Sequence, residues 1–235
     1  MAFRILCVFA TLTIAGCATA RRETPKPLCL PYLPTSMDVN GKLDEVYYRQ
    51  HAPLTSFVVA AHNAREASST KAWVFWSEDG LICAFECVDP TPAWATPSPN
   101  ESEVDGQDRV ELFLWPGDPT GPYFCIEAVP GGAVHDYQAR FYRKFDDAWA
   151  PAAGWQHEAL LTPHGYTVEM SLPKPAIEAM GLKLEPGAQF KIGLFRADFD
   201  TLNGHPTWIT WIDHGREPDF HLAESFGTAS LTPAP

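Results

Sequence analysis

Two apolar, β-rich runs separated by a turn-forming segment constrain the fold of this chain more than any other feature. The runs are Arg109–Trp115 and residues 123–129, and residues 116–122 between them contain three prolines and two glycines. Such residues favour turns and interrupt helices. The pattern predicts a β-hairpin with an irregular loop at the centre of the fold.

The predicted hairpin has two different faces, because side chains alternate along a strand. The apolar face is expected to carry Val110, Leu112, Leu114, Phe124, Ile126 and Ala128. The opposite face carries Arg109, Glu111, Phe113, Trp115, Tyr123, Cys125 and Glu127. If the strands pair, Glu111 and Glu127 lie close together, which is unfavourable without a cation or hydrogen-bond donors nearby. This face could bind a polar ligand or be solvated, and the hairpin residues leave both interpretations open.

Short strand-like runs with turn residues between them fill most of the remaining chain. They lie at residues 70–76, 81–88, 134–142, 155–161, 165–172, 190–199, 206–212 and within 220–231. One short helix is predicted to begin at Pro175 and end before Gly181, and Asp44 can start a helical turn through Tyr48. No repeat and no second domain is evident. The pattern predicts an all-β, antiparallel, immunoglobulin-like β-sandwich over residues 35–232.

Composition limits the size of the core and the class of partner. The chain has 235 residues, 46% of them hydrophobic, and a formal net charge of −12. This length and hydrophobic content allow one full core. Proteins that bind nucleic acid normally carry a basic surface, so we expect no nucleic-acid partner.

The first residues have the pattern of an export signal. Arg4 precedes an apolar run at residues 5–16, which is too short to cross a bilayer as a helix. Residues 14–17 read IAGC and resemble a bacterial lipoprotein signal, which implies cleavage after residue 16 and lipidation of Cys17. The alternative is an ordinary secretory signal cleaved near Ala20.

The export signal and the segment after it predict the domain plan and the location. Residues 17–34 contain basic residues and four prolines, which predicts an extended tether. The plan is therefore a lipoprotein signal peptide at 1–16, a tether at 17–34 and a globular domain at 35–232. We expect an exported protein, anchored by lipid to the periplasmic or cell-surface face of a bacterial membrane.

Four cysteines remain after the export signal: Cys29, Cys83, Cys87 and Cys125. Export would make disulfides possible. Cys83 and Cys87 share one predicted strand and lie about 13 Å apart, too far to bridge each other. One of them could pair with Cys125 on a neighbouring strand, or all could be small buried thiols. No cysteine or histidine spacing typical of zinc sites is present.

Motifs across nearly the whole predicted domain occur in a recognisable order. They lie at residues 40–45, 72–74, 81–85, 89–90, 108–114, 126–132, 136, 165–173, 211, 220–221 and 225–227. Their order and spacing resemble those of the carbohydrate-binding modules of family 9. That family belongs to a wider sandwich group that includes the haem-binding DOMON domains. The resemblance implies a DOMON-like β-sandwich that binds a poly- or oligosaccharide without catalysing a reaction.

The same resemblance implies a sugar site. Trp94 lies in the long loop at 89–106, where the family carries an aromatic residue, and Trp211 lies in the late tryptophan-containing segment. A sugar held between these two rings would orient its hydroxyls with polar groups of the hairpin. The polar candidates are Asp105, Asp108, Arg109 and Glu111, and arginine suits bidentate contacts with neighbouring oxygens. Core packing is the competing interpretation for each ring, because the chain has eight tryptophans.

The chain departs from the family pattern at two places. Val129 stands where the family often has asparagine, and residues 222–225 read LAES where it often has a Pro-Glu-Arg run. Members of the family also bind structural calcium, for which Asp105 with Asp108, or Asp118, are the candidates. The sequence specifies no other metal or cofactor.

Three other functions remain open on the sequence alone. A haem-binding electron-transfer domain would need axial ligands, for which the candidates are Met37, Met170, Met180 and the eight histidines, among them His135 and His221. A glycosidase would need paired carboxylates such as Glu111 and Glu127, but no GxSxG or HExxH signature accompanies them. The third is a surface scaffold that keeps the fold and has lost sugar binding.

Overall fold

The computed structural model describes residues 26–61, 67–96 and 100–234. The predicted signal peptide and Cys17 lie outside these residues. Within them the chain forms two packed β-sheets, so the predicted all-β sandwich is confirmed. No helix in these ranges is long and apolar enough to cross a membrane.

The strands are, in chain order, β1 (Leu28–Leu30), β2 (Val58–Val59), β3 (Thr70–Trp76), β4 (Gly80–Val88), β5 (Arg109–Trp115), β6 (Tyr123–Ala128), β7 (Val134–Arg140), β8 (Lys144–Asp146), β9 (Gln156–Thr162), β10 (Gly165–Pro173), β11 (Gln189–Phe199), β12 (Pro206–Thr210) and β13 (Gly227–Leu231). Two α-helices occur in the described ranges, α1 (Val46–Gln50) and α2 (Lys174–Ala179). Short 3-10 helices cover Glu101–Gly106 and Ala223–Ser225. The predicted helix is thus found at α2, and the predicted turn near residue 44 continues as α1.

The larger sheet has the order β1-β13-β11-β5-β6-β7-β8, and β12 pairs with the second half of β11 and with β2. The smaller sheet has the order β3-β4-β10-β9. Neighbouring strands run antiparallel in both sheets except for β1 and β13, which are parallel. The inner faces of the two sheets enclose the main core, as expected for a sandwich.

The central hairpin is confirmed, and its apolar face lies in the core between the sheets. The opposite face is not solvated. Its aromatic part forms a second apolar cluster in which Phe113 and Tyr123 pack with Phe195, Phe220 and Phe226. These last two residues come from an irregular C-terminal segment, residues 213–226, which covers the sheet from outside. The solvated interpretation of this face is therefore wrong for most of its area.

The ordered domain begins before residue 35, inside the segment that we predicted to be a tether. Leu28–Leu30 pairs with β13 as an edge strand. Leu30 is fully buried in the main core, and Leu33 packs on the outer face of the smaller sheet. Apolar residues in this proline-containing segment thus bind it to the domain.

The described cysteines are all free thiols. Cys83 and Cys87 lie in the core between the sheets, whereas Cys125 lies in the cluster on the outer face of the larger sheet. The larger sheet separates Cys125 from the other two, so the predicted alternative of a disulfide between them is not formed. Cys29 is exposed on β1, unlike the buried state that we considered for all four.

Candidate functional site

A cavity of about 400 Å³ lies on the outer face of the larger sheet. Its floor comes from β5, β6, β7 and β12. Its walls come from residues 143–147, which include β8, and from residues 218–221 of the C-terminal segment. Its size is in the range typical of small-molecule sites. Charged side chains converge there, which makes this cavity the candidate ligand site.

Strand pairing sets the order of side chains across the cavity floor. Glu111 on β5 lies opposite Glu127 on β6, which in turn lies opposite His135 on β7. Residues that face each other across antiparallel strands point to the same side of a sheet. The alternation of side chains along these strands therefore puts both carboxylates and the imidazole in one row.

The two carboxylates share one buried guanidinium. Arg109 is 5% exposed, Glu111 1% and Glu127 3%, so all three charges are nearly withdrawn from water. Arg109 Nε donates to Glu111 Oε1 at 2.9 Å and lies 2.7 Å from Glu127 Oε2. Nε carries a single hydrogen, which is directed at Glu111, and Glu127 Oε2 accepts no hydrogen bond. Arg109 is thus the cation that the facing carboxylates require.

Burial and mutual repulsion change the protonation of this group. Burial, and then the charge of Glu127, raise the pKa of Glu111 to about 8 against the opposing effect of Arg109. The pKa of Arg109 is also raised: burial lowers it, but the carboxylates of Glu127 and Glu111 outweigh that effect. At neutral pH Glu111 therefore holds a proton in much of the population, and Arg109 stays charged.

Hydroxyl and imidazole groups extend the network toward the cavity mouth. Tyr137 donates its hydroxyl hydrogen to Glu127 Oε1 at 2.7 Å. His135 Nδ1 lies 3.1 Å from Asp105 Oδ1, and His135 Nε2 lies 3.8 Å from Asp147 Oδ1. Burial lowers the pKa of His135, but the hydrogen bond to Asp105 and the nearby carboxylates produce a net rise.

The C-terminal segment supplies the opposite wall. Asp219 accepts hydrogen bonds from the hydroxyl of Tyr142 at 2.5 Å and from Arg143 Nη1 at 2.9 Å. Next to it, His221 Nδ1 lies 2.9 Å from the hydroxyl of Tyr123. Burial, and then the charge of Arg143, lower the pKa of His221 to about 4, so His221 is neutral at pH 7.

Two aromatic rings border the polar groups. Ala197 on β11 lies between Trp208 on β12 and Arg109 on β5 in the strand register. The guanidinium carbon of Arg109 is 5.5 Å from the centre of the Trp208 ring. On the other flank Phe145 is 45% exposed and packs edge-on against Tyr137. The cavity therefore combines apolar ring surface with a dense set of hydrogen-bonding groups.

The tryptophans predicted to form the sugar clamp lie elsewhere. Trp94 packs on the backbone of Gly131, where an added Cβ would come within 2.4 Å of the indole. Trp211 packs in the same way on Gly227 and against the main core. Neither ring lines the cavity. Their role in sugar binding stays a prediction, and the geometry favours Trp208.

The four polar residues predicted for the site divide into two groups. Asp105, Arg109 and Glu111 line the cavity. Asp108 is fully buried away from it and accepts hydrogen bonds from the backbone N–H groups of Ala93 and Phe199. Burial raises the pKa of Asp108 to about 7. Asp108 thus fixes the loop that precedes β5, rather than a ligand in this cavity.

The predicted calcium ligands are not brought together. Asp108 clusters with Asp89 and Asp198, whereas Asp105 clusters with Glu127 and His135. The first cluster surrounds the fully buried Arg196, which binds Asp89 and Asp198 at 3.1 and 2.8 Å. That guanidinium already neutralises carboxylates which a calcium ion would need. Asp118 instead closes the hairpin loop by accepting hydrogen bonds from the N–H and hydroxyl of Thr120.

The methionines considered as haem ligands lie on other sheet faces than His135 and His221. Met170 and Met180 lie in the core between the sheets, and Met37 packs on the outer face of the smaller sheet. None of the three lines the cavity that His135 and His221 border. A methionine–histidine axial pair is therefore not assembled at this site.

Several cavity residues were not among the predicted site residues: Glu127, His135, Tyr137, Arg143, Phe145, Asp147, Trp208, Asp219 and His221. Glu127, His135 and Tyr137 could have been predicted from the alternation of side chains, which puts them on the same face as Glu111. Trp208 could have been found in the same way once β12 was paired with β11. Residues of the irregular segments have no periodicity, so the sequence alone could not place them.

Comparison with known proteins identifies the fold family. The sequence model of the carbohydrate family 9 binding domain-like family matches residues 39–234. The chain belongs to this family. The resemblance inferred from the order of motifs is thus confirmed, and no curated protein matches the chain significantly.

Solved structures with similar folds include other family 9 modules. A family 9 module from Caldicellulosiruptor kristjanssonii in complex with cellotriose has a TM-score of 0.63 at 15% identity, covering 89% of this chain and 95% of its own. A structure of a family 9 module from the same organism with glucose has a TM-score of 0.58 at 16% identity, covering 89% and 97%. A Bacteroides uniformis protein proposed to bind carbohydrate has a TM-score of 0.64 at 16% identity, covering 88% and 99%. At such identities the likeness establishes the fold alone.

Proposed function

We propose that this family 9 domain binds an oligosaccharide in the cavity on the outer face of the larger sheet. The observation that carries the proposal is the buried Arg109–Glu111–Glu127 group beside the ring of Trp208. A pyranose has an apolar C–H face and a rim of hydroxyls, so it needs ring surface and oriented polar groups together. Complexes of similar modules with cellotriose and glucose support this class of ligand.

The hydroxyls of a sugar can meet the hydrogen-bonding capacity that the protein leaves unfilled. Asp105 and Asp147 have exposed carboxylates at the cavity, and Glu111 in its protonated form can itself donate. Tyr137 and Arg109 hold the carboxyl groups of Glu127 and Glu111 in place. Hydrogen bonds to charged groups are the stronger ones in proteins, so a few such contacts can orient a sugar ring.

We propose that the domain binds its sugar without cleaving it. Glycosidases place two carboxyl groups on either side of the scissile bond, one as acid and the other as base or nucleophile. Here Glu111 and Glu127 both contact Arg109 Nε, within 2.9 and 2.7 Å. The guanidinium occupies the space that a glycosidic oxygen would need. This geometry suits recognition rather than hydrolysis.

We also propose that the protein acts at a bacterial cell envelope as a lipoprotein attached through Cys17. The IAGC sequence at 14–17 supports this, and the segment concerned lies outside the described residues. Expression with a radiolabelled fatty acid should label the wild-type chain and leave Cys17→Ser unlabelled. Label on the Cys17→Ser variant, or none on either chain, would contradict lipidation at this cysteine.

Calorimetric titration with glucose, cellobiose and cellotriose, guided by a glycan array, tests the binding function. We expect measurable binding by the wild-type chain and a loss of about tenfold or more for Trp208→Ala, because tryptophans in binding sites often contribute most of the affinity. Trp94→Ala and Trp211→Ala are the matched controls. Loss of binding in these two with retention in Trp208→Ala would place the sugar between the originally predicted rings. Absence of binding to every glycan would favour a scaffold that has lost this function.

A further inference from the structure

The charges that line the cavity are unequal in number. Five carboxyl groups line it, from Asp105, Glu111, Glu127, Asp147 and Asp219, together with the guanidinium groups of Arg109 and Arg143. Raised pKa values favour protonated forms of Glu111 and His135, and His221 is neutral. Even with Glu111 and His135 both protonated, four carboxylates face three cations. The cavity is therefore negative at neutral pH.

Both guanidinium groups are already occupied by protein partners. Arg109 contacts Glu111 and Glu127 and donates from Nη1 to the backbone oxygen of Asp105 at 2.8 Å. Arg143 binds Asp219, and its guanidinium carbon lies 5.6 Å from the ring centre of Phe145. An anionic ligand would have to displace a buried or half-buried carboxylate to reach either cation. Such displacement leaves a charge without its partner and is costly.

The carboxylates beside β7 are exposed enough to accept hydrogen bonds from a ligand. Asp105 and Asp147 lie on either side of His135, with side chains that are 59% and 71% exposed. One ligand atom each from Asp105, Glu127 and His135 lie within 4.8 Å of one another. A single cationic group can therefore contact the carboxylates of Asp105 and Glu127 together. Glu127 is nine-tenths buried or more and its Oε2 accepts no hydrogen bond. The cavity thus places two exposed anions beside a buried carboxylate that is paired with Arg109.

We propose, on the basis of the proposed function, that the preferred saccharide carries a free amino group, as in glucosamine units, and that uronic acids are rejected. A protonated amine is compact and has three hydrogens to donate, which matches the carboxylates of Glu127 and Asp105. Asp147 adds attraction from the cavity mouth. The carboxylate of a uronic acid would meet the same anions, while Arg109, Arg143 and His135 are already paired with protein carboxylates.

The test compares disaccharides with one backbone and different groups at the second carbon. Cellobiose, its doubly acetamido analogue and its doubly amino analogue, all β-1,4-linked, are titrated into the full chain near pH 6, where such amines are protonated. We expect the amino disaccharide to bind at least about threefold more tightly than cellobiose at about 20 mM salt. The difference should shrink at about 300 mM salt, because salt screens exposed charges. A cellobiose analogue with a terminal uronic acid should bind more weakly than cellobiose.

Variants assign the preference to particular carboxylates. Asp105→Asn and Asp147→Asn should each move the ratio of amino-sugar to cellobiose affinity toward one. Asp79→Asn makes the same change of charge at an exposed turn of the smaller sheet and should leave the ratio unaltered. If Asp79→Asn lowers the ratio of amino-sugar to cellobiose affinity as much as the other two variants do, the preference arises from the net charge of the protein.

The outcomes separate this inference from the function on which it rests. Equal affinity for cellobiose and the amino disaccharide, or tighter binding of the uronic acid, overturns the inference and leaves sugar binding intact. If none of these sugars nor any arrayed glycan binds, the proposed function itself fails. A preference that persists in both Asp105→Asn and Asp147→Asn would also contradict the assignment.

Discussion

Glu111 and Glu127 face each other across β5 and β6, and a single nitrogen atom, Arg109 Nε, contacts both at 2.9 and 2.7 Å. Like charges opposite each other destabilise a sheet, so this pair depends on its cation. The same three residues form the centre of the cavity floor. The group that we propose to bind sugar is thus also a group on which the fold depends.

Replacing Arg109 with methionine should strongly destabilise the domain. The change leaves the buried carboxylate of Glu127, with Glu111 opposite it, without a cation, and breaking a buried ion pair in this way costs about 3–5 kcal/mol. Urea denaturation measures the loss in the free energy of unfolding. Arg140→Met, at the exposed end of β7, is the control and should cost well under half as much. A small effect of Arg109→Met would mean that the carboxyl groups neutralise themselves by protonation.

Stability should depend on pH through Glu111. Its pKa is raised to about 8 from an ordinary value of 4.5, mainly by burial and then by Glu127. A raised folded-state pKa contributes stability that is present at low pH and is lost as the pH rises through the folded value. We therefore expect the free energy of unfolding to fall from pH 5 to pH 8, by on the order of 1 kcal/mol per pH unit from this group.

The variant Glu111→Gln isolates this contribution. Asp108 and Asp136 have pKa values raised to about 7 and about 6 and change stability in the same direction, but both remain in the variant. The charged groups that act on Glu111 are Arg109, Glu127 and Asp105. The difference between wild type and variant, measured by denaturation at several pH values, should decline with rising pH. Parallel curves would show that Glu111 titrates near its ordinary pKa.

Tyr48→Phe should weaken the attachment of the N-terminal loop to the smaller sheet. Tyr48 donates to Glu169 Oε1 at 2.6 Å, while Oε2 accepts from the backbone N–H groups of Asn40 and Gly41. Loss of a buried hydrogen bond to a charged group costs about 1.5–3 kcal/mol. Tyr47→Phe removes an exposed hydroxyl contact and should cost little. Sugar affinity should be unchanged in both variants, because helix α1 packs on the smaller sheet, away from the cavity.

Leu30→Ala should show that the segment before residue 35 belongs to the folded domain. Leu30 is fully buried in the main core, and replacing a core leucine by alanine costs about 2–5 kcal/mol. Thermal unfolding of this variant is compared with that of Leu161→Ala, whose side chain is 51% exposed. If residues 17–34 were only a tether, the two variants would melt together.

Much of the sandwich can be predicted from local sequence rules. Alternation of side chains predicted both faces of the hairpin and the opposition of Glu111 and Glu127, because register in a half-buried strand is set by the apolar pattern. The turn at residues 116–122 predicted where the chain reverses. These features depend on neighbours in sequence, and they were found where expected.

The rest depends on contacts between segments that are distant in sequence. Alternation along the predicted strand at 206–212 separates Trp208 and Trp211 onto opposite faces. Only the pairing of β12 with β11 shows that Trp208 is the ring that lies in one row with Arg109. The segment 213–226 is irregular and has no period from which its position over the sheet could be inferred. The prolines around Leu30 led to the prediction of a tether. In the structure, burial of Leu30 in the core holds this segment beside β13.

The mutual contacts of Arg109, Glu111, Glu127 and Tyr137 also bear on the entropy of binding. Each of these side chains is held in one position by another before any ligand arrives. A flexible surface loses about 0.5–1.5 kcal/mol of conformational freedom for every long side chain that binding immobilises. In this protein that freedom is lost when the sheet folds. A sugar that binds here as we propose would therefore meet side chains already fixed in place, and association would order little more than the sugar itself.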